Sequence, residues 1–183
     1  MALGATMYAF EIRLADSDRQ VYETLNLRVA QHPSETPAYL WTRVLAYCLE
    51  YAQGISFSKG VSDTEMPALY VHDLTGAWVS WIEVGAPDAS RLHKAAKTAP
   101  RVAVYLHRDA QPLLARWAGE RIHRAGHIDL CALEPAFIDT LAGRLDRRMS
   151  FDLSVAESEL YLTLGEDTLT STVRHLRLGD DPR

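Results

Sequence analysis

The sequence predicts a mixed α/β fold: an antiparallel meander that leads through a helical crossover into parallel strands, with extra β-structure from both termini. Three observations carry this. Tyr8, Phe10, Ile12 and Leu14 alternate with Ala9, Glu11 and Arg13, the period of a half-buried strand. Thr75-Gly76 separates two runs rich in Val, Ile, Trp and Tyr, which is a hairpin signature. Val102 to Leu106 is a nearly unbroken apolar run that follows a helical segment, as a buried parallel strand does. The 183 residues are read as one domain, 1–183.

The elements follow in order. The alternation from Thr6 to Leu14 resumes from Val21 to Val29 after the polar cluster Asp16-Ser17-Asp18-Arg19, so the N-terminus reads as an antiparallel hairpin. Asp16 and Asp18 are read as turn residues, since no later Asp-Gly and Glu complete a calcium loop. Thr36 as N-cap and Pro37 at the first helical position open a helix. Its buried stripe is Trp41, Val44, Leu45, Cys48, Leu49 and Ala52, and Gly54 ends it. Arg43 and Glu50 fall on the far side of that stripe and read as solvated charges.

A short strand, Ile55 to Lys59, and a polar connection from Gly60 to Met66 lead to the central hairpin, Leu69 to Val84. A helix from about Ala89 to Ala99, with core residues Leu92, Ala95, Ala96 and Ala99, stops at Pro100. After Val102–Leu106 come a helix from Gln111 to about His123, a buried strand Ile128–Leu133, and a helix from Glu134-Pro135 to about Leu145. Met149–Val155, Glu159–Gly165 and Thr168–Leu176 read as a terminal antiparallel set, and Gly179–Arg183 as a frayed end.

Composition narrows the class. With 48% hydrophobic and 23% charged residues the chain is an ordinary globular sequence. No apolar run approaches the ~20 residues of a membrane span, and the N-terminus lacks the pattern of a signal peptide. Cys48 and Cys131 lie in apolar patterns and read as buried thiols, which points to the cytoplasm. The net charge of −5 argues against a globally basic nucleic-acid binder. The charge is unevenly placed, however: residues 1–90 carry net −6, residues 91–127 net +6 and residues 128–183 net −5. The 91–127 segment is therefore the candidate surface for nucleic acid, against the plainer reading of a solvated face on two helices.

Carboxylates and a lysine placed along one sheet suit metal-assisted phosphoryl transfer, because Mg²⁺ or Mn²⁺ takes oxygen ligands and a lysine can orient water or neutralise charge. Asp73 and Glu83 are the candidate ligands and Lys94 the candidate lysine. With the turn centred on Gly76, Leu69 faces Glu83, and the two carboxylates share a face roughly 13 Å apart at ~3.3 Å per residue. A bulge would be needed to close that span, or a second carboxylate from Asp63 or Glu65. Asp73 alternatively caps its own turn.

The chain resembles the YaeQ family of bacterial proteins. The resemblance is carried by Met1-Ala2-Leu3 with Ala5-Thr6, His32-Pro33-Ser34-Glu35-Thr36, Arg43-Val44-Leu45-Ala46, Asp73-Leu74-Thr75-Gly76, and Trp81-Ile82-Glu83-Val84-Gly85 with Pro87-Asp88. It implies a variant of the PD-(D/E)XK, restriction-endonuclease-like fold, in which Glu83 takes the acidic position of (D/E)XK and Asp73 the nominal aspartate. The lysine position is Gly85, a departure, and Lys94 on the following helix is the migrated candidate. Glu35 resembles the helix glutamate that serves as a further metal ligand in some members. Arg43, Lys59, Arg91 and Lys97 stand as phosphate-contact candidates. Two functional expectations follow: a Mg²⁺- or Mn²⁺-dependent nuclease, or a catalytically degenerate relative that binds nucleic acid or a protein partner in transcription. Neither involves a membrane.

Overall fold

The computed structural model describes residues 4–59 and 63–178. The N-terminal alternation forms the expected hairpin: β1 (Thr6–Asp16) and β2 (Val21–Gln31) pair antiparallel, with Phe10 opposite Leu27 and Ile12 opposite Leu25. These residues are buried on one face, while Glu11 and Arg13 are exposed on the other. Asp16 closes the turn by accepting from the Arg19 backbone and guanidinium. Asp18 reaches further, to the backbone N–H groups of Glu157 and Ser158.

Thr36 caps α1 (Pro37–Leu49) as expected, its hydroxyl accepting from the Tyr39 N–H at 3.1 Å. The meander follows as β3 (Ile55–Phe57), β4 (Leu69–His72) and β5 (Trp78–Val84). Crossover helix α2 (Ala89–Thr98) then carries the chain to β6 (Arg101–Leu106), which lies parallel to β5. Next come α3 (Gln111–Ala118), β7 (Ile128–Ala132) parallel to β6, and α4 (Pro135–Gly143). The chain ends in β8 (Arg148–Ala156), β9 (Glu159–Leu164), β10 (Asp167–Thr172) and β11 (Arg174–Arg177).

These strands make two sheets, ordered β10-β9-β8-β1-β2 and β11-β7-β6-β5-β4-β3. One apolar cluster joins them, running from Phe10, Leu27 and Phe151 of the first sheet through Trp41 and Ile138 of α1 and α4 to Ile82 and Tyr105 of the second. A second cluster lies on the opposite face of the second sheet, where α2 and α3 cover Trp81, Val104 and Leu130 with Leu92, Ala95 and Trp117. The order is thus sheet, helix pair, sheet, helix pair.

Three expectations are corrected. Arg43 and Glu50 are buried, at 1% and 9% exposure. Helix α1 meets a sheet on both sides, Trp41 packing on Phe10 and Phe151 while its other flank meets the second sheet, so no solvated side remains for them. The helix expected to reach His123 stops at Ala118, with Gly119 as its C-cap and a 3₁₀ turn at Ala125–His127. Trp117 fixes that end, being buried with its indole N–H on the Pro87 carbonyl. The terminal strands form the expected antiparallel set, β8-β9-β10, and β8 joins it to the N-terminal sheet by pairing parallel with β1. Finally, Thr168–Leu176 is two strands: Val173 bonds to Ser158, and β11 crosses to the second sheet beside β7. The segment Gly179–Arg183 lies outside the described residues.

Candidate functional site

Parallel strands β5 and β6 both end at one crevice. Val84 ends β5 and is followed by Gly85, Ala86 and Pro87, and behind β6 come His107 and Arg108. Glu35 and Tyr39 at the start of α1 form a second wall, Met66 and Ala68 before β4 a third. The cavity so enclosed is about 470 Å³.

Glu83 stands at its base, 4% exposed. The strand alternation puts Trp81 and Glu83 on the same face, and the Trp81 indole N–H donates to Glu83 Oε1 at 2.7 Å. Arg91, in the first turn of α2, donates to the same oxygen through Nε at 2.6 Å. Its two remaining nitrogens are held by the carbonyls of Thr64 and Met66. Burial pushes the Glu83 carboxyl above the ordinary carboxylate range, against the pull of Trp81 and Arg91. The Glu83 charge is therefore met by a cation within the chain.

Asp73 is not part of this arrangement. Its Oδ1 accepts from the Thr75 N–H, the Thr75 hydroxyl and the Ala77 N–H, and these hold its carboxyl below the usual range. Its backbone N–H bonds to Ala77 at the hairpin tip, while Leu69 pairs with Ile82 at the other end. Asp73 and Glu83 thus occupy opposite ends of the ladder, roughly 20 Å apart at ~3.3 Å per residue. The ladder does contain an irregularity, between Val71 and His72, but it does not bring the two ends together. The β4 side across from Glu83 is reached at Ala68, one residue before Leu69, and offers a buried methyl group rather than a carboxylate.

The remaining candidates are placed as follows. Lys94 pairs with Glu65, and both are largely exposed, so the ammonium is directed to the loop before β4. Asp63 lines the cavity and accepts from the Glu65 N–H. Glu35 is buried and paired with Arg43 at 2.8 Å, and the same Arg43 nitrogen donates to the Ala30 carbonyl. Arg43 is thereby an internal structural cation, and Arg91 is occupied by its clamp. Lys59 lies two residues beyond the end of β3 and is exposed. Gly85, where the family resemblance would put a motif lysine, has φ +86, a conformation that L side chains rarely adopt.

Lys97 belongs to another feature. Lys97 and His93 of α2 face Arg121, Ile122, His123 and Arg124 of the loop after α3, enclosing a cleft of about 560 Å³ with no carboxylate in its lining. Among the described residues no ion pair involves Lys97, Arg121 or Arg124. The His123 N–H donates to His93 Nδ1 at 3.1 Å, which places the His93 proton on Nε2. The charge count of residues 91–127 pointed to this region, but the expected long helix concealed that Arg121 and Arg124 fold back beside α2.

A divalent cation fits the described residues poorly. No group of three or more His, Cys, Asp or Glu among them is arranged to hold one. Glu35 and Glu83 each already hold an arginine on one carboxylate oxygen, which sets a positive charge beside any metal there. No helix among the described residues is long and apolar enough to cross a membrane.

Residues 1–173 match the model of a protein family described as YaeQ protein. The chain is 28% identical over 172 residues to the uncharacterized protein YaeQ of Escherichia coli K12, covering 92% of this chain and 94% of that one. The counterpart in Salmonella typhi is 26% identical over 170 residues. The crystal structure of the YaeQ protein from Pseudomonas syringae superposes with a TM-score of 0.86 at 28% identity, over 94% of this chain and 96% of that one. That of Xanthomonas axonopodis pv. citri gives 0.78 at 27% identity, over 93% and 98%.

Proposed function

The chain belongs to the YaeQ family, and from that premise we propose that it is a nuclease-like fold that binds nucleic-acid phosphate without hydrolysing it. The observation that carries this reading is the cleft between α2 and the 121–124 loop. Lys97, Arg121 and Arg124 converge there with two histidines and no acidic counter-charge in the lining. Cations held together without internal neutralisation repel one another, and a polyanion relieves that repulsion. The chain's overall negative charge confines such binding to this face.

The nuclease-like part rests on the element order α1, β3-β4-β5, α2, β6, which agrees with the PD-(D/E)XK variant implied by the family resemblance. The non-catalytic part rests on what surrounds Glu83. Its charge is met by Arg91, its neighbour across the ladder is Ala68, and the lysine place is Gly85. A protein partner in transcription is compatible with the same role, the cleft supplying the nucleic-acid contact.

A second reading, metal-dependent hydrolysis, is favoured by one observation: Glu35, Asp63 and Glu83 all line the same cavity. Calorimetric titration of Mn²⁺ into the wild type and Glu83→Ala separates the two. The binding-only reading expects no saturable heat from either protein. Saturable uptake lost in Glu83→Ala, with cleavage of an added oligonucleotide, selects hydrolysis instead.

A further inference from the structure

The irregularity in the β4-β5 ladder changes what the second sheet presents to solvent. Val71 stands opposite Ser80, but His72 stands opposite Trp78, so Trp78 and Val79 share one partner. Val79 is the extra residue of a β-bulge and is exposed. Strict alternation from Ile82 and Ser80 would put Trp78 on the face that packs toward α1. The bulge moves it to the opposite face, where its indole stacks on that of Trp81 at 4.9 Å. Tyr70, opposite Trp81, shares this face with His72. Their rings meet Trp78 at 6.0 Å and 4.4 Å.

Trp81 is covered by α2, but Tyr70, His72 and Trp78 each remain partly exposed. These rings lie at the same end of the sheet as the α2 cleft. Ser80, two residues after Trp78, pairs with Arg101, three residues beyond the end of α2. Val102 pairs with Ile128, which a single 3₁₀ turn separates from the 121–124 loop. Lys97 and the loop arginines therefore stand near the starts of β6 and β7, and the rings on β4 and β5 beside them. In the strand order β7-β6-β5-β4 the two groups are roughly 10–14 Å apart at ~4.8 Å per strand.

We infer that Trp78 and Tyr70 form a base-stacking platform, and that the nucleic acid held by the cleft is single-stranded. This rests on the phosphate reading of the cleft and adds the substrate class. The nucleic-acid strand passes from Lys97 and the loop arginines across the end of α2, and a base lies on the exposed part of Trp78 beside Tyr70. An aromatic ring takes any base by its π-face. In a duplex those faces are occupied by neighbouring base pairs, so only an unpaired strand can offer them. The cations at the same end of the sheet select a polyanion that carries planar bases over an uncharged partner for the rings.

The test is fluorescence anisotropy with the full chain, using a short labelled oligothymidylate, its duplex with oligodeoxyadenylate, and competition by inorganic polyphosphate. The single strand is expected to bind at least about tenfold tighter than the duplex. Trp78→Leu and Tyr70→Leu keep apolar bulk on the sheet and are each expected to weaken the single strand about tenfold. Both are expected to leave polyphosphate affinity and the slope of log K against log salt unchanged, since stacking releases no counterions. The wild type gives an independent reading. Trp41, Trp81 and Trp117 are at most 1% exposed, so saturable quenching of tryptophan emission by oligothymidylate, and not by polyphosphate, reports Trp78. That reading decides should a variant fail to fold. Equal affinity for single strand and duplex, unchanged single-strand binding by the folded variants, or no quenching overturns the platform alone where polyphosphate binds and Lys97→Ala/Arg121→Ala/Arg124→Ala loses it. Binding of neither oligothymidylate nor polyphosphate overturns the phosphate reading and the platform together.

Discussion

Arg91 Nε donates to Glu83 Oε1 at 2.6 Å, and the carbonyls of Thr64 and Met66 hold the rest of the guanidinium. This relationship fixes the end of β5, the first turn of α2 and the loop before β4 to one another. Removing one partner of such a pair strands a charge in a largely dry site. Arg91→Ala is expected to destabilise the fold by about 3 kcal/mol, and Glu83→Gln in the same chain to restore part of the loss. Urea midpoints of the two single variants and the double variant measure the coupling.

The position that the family resemblance gives to a motif lysine, Gly85, can be filled directly. Gly85→Lys is expected to destabilise by about 1–2 kcal/mol, because φ +86 is unfavourable to any residue with a Cβ. It is expected to confer no Mg²⁺-dependent cleavage, since Ala68 supplies no second ligand beside Glu83. An oligonucleotide cleavage assay on the variant checks this.

His107 gives the fold a pH dependence. Its pKa is lowered by burial, with Arg108 adding to the effect, so the unfolded chain binds a proton more readily than the folded one. The stability it contributes is full above the ordinary value of about 6.5 and is lost as pH falls through the folded value. Between pH 7.5 and 5.5, by urea unfolding, His107→Asn is expected to lose less stability than the wild type.

The turn joining β8 and β9 places Glu157 and Ser158 at φ 53 and 63, and Asp18 accepts both of their N–H groups. Those two bonds hold the Asp18 carboxyl below its usual range. Asp18→Ala is expected to lower the urea midpoint, and Ser158→Gly, which relaxes the left-handed residue, to recover part of it. Since the Asp18 pKa is depressed, its contribution is present above the ordinary carboxylate range and falls away in acid.

The meander, the crossover and the N-terminal hairpin were legible because each is local: alternation, Thr75-Gly76 and an apolar run after a helix are short-range signals. The position of α1 was not legible. Its apolar stripe reads the same whether one side or two are covered, so Arg43 and Glu50 looked solvated although two sheets enclose them. The same limit explains the site. Glu83 was identifiable as a candidate carboxylate on the sheet, but the source of its compensating charge was not. That Arg91 rather than Lys94 supplies it depends on the rotation of α2 against β5, which no spacing encodes. Asp73 carries two readings in sequence, ligand and turn cap, and only the ladder register separates them. Arg121 and Arg124 meet Lys97 because the helix expected to run to about His123 ends at Ala118, before either arginine.

The central claim is binding without hydrolysis through the α2 cleft. The most direct measurement is fluorescence anisotropy of an end-labelled oligonucleotide with the wild type and with Lys97→Ala/Arg121→Ala/Arg124→Ala, in EDTA, across a salt series. Three phosphate contacts predict a log K against log salt slope of about −2 to −3, largely lost in the variant, which retains its urea midpoint. The oligonucleotide recovered after incubation with Mg²⁺ is expected to be intact. Absence of binding, binding unchanged in the variant, or cleavage by the wild type contradicts the account.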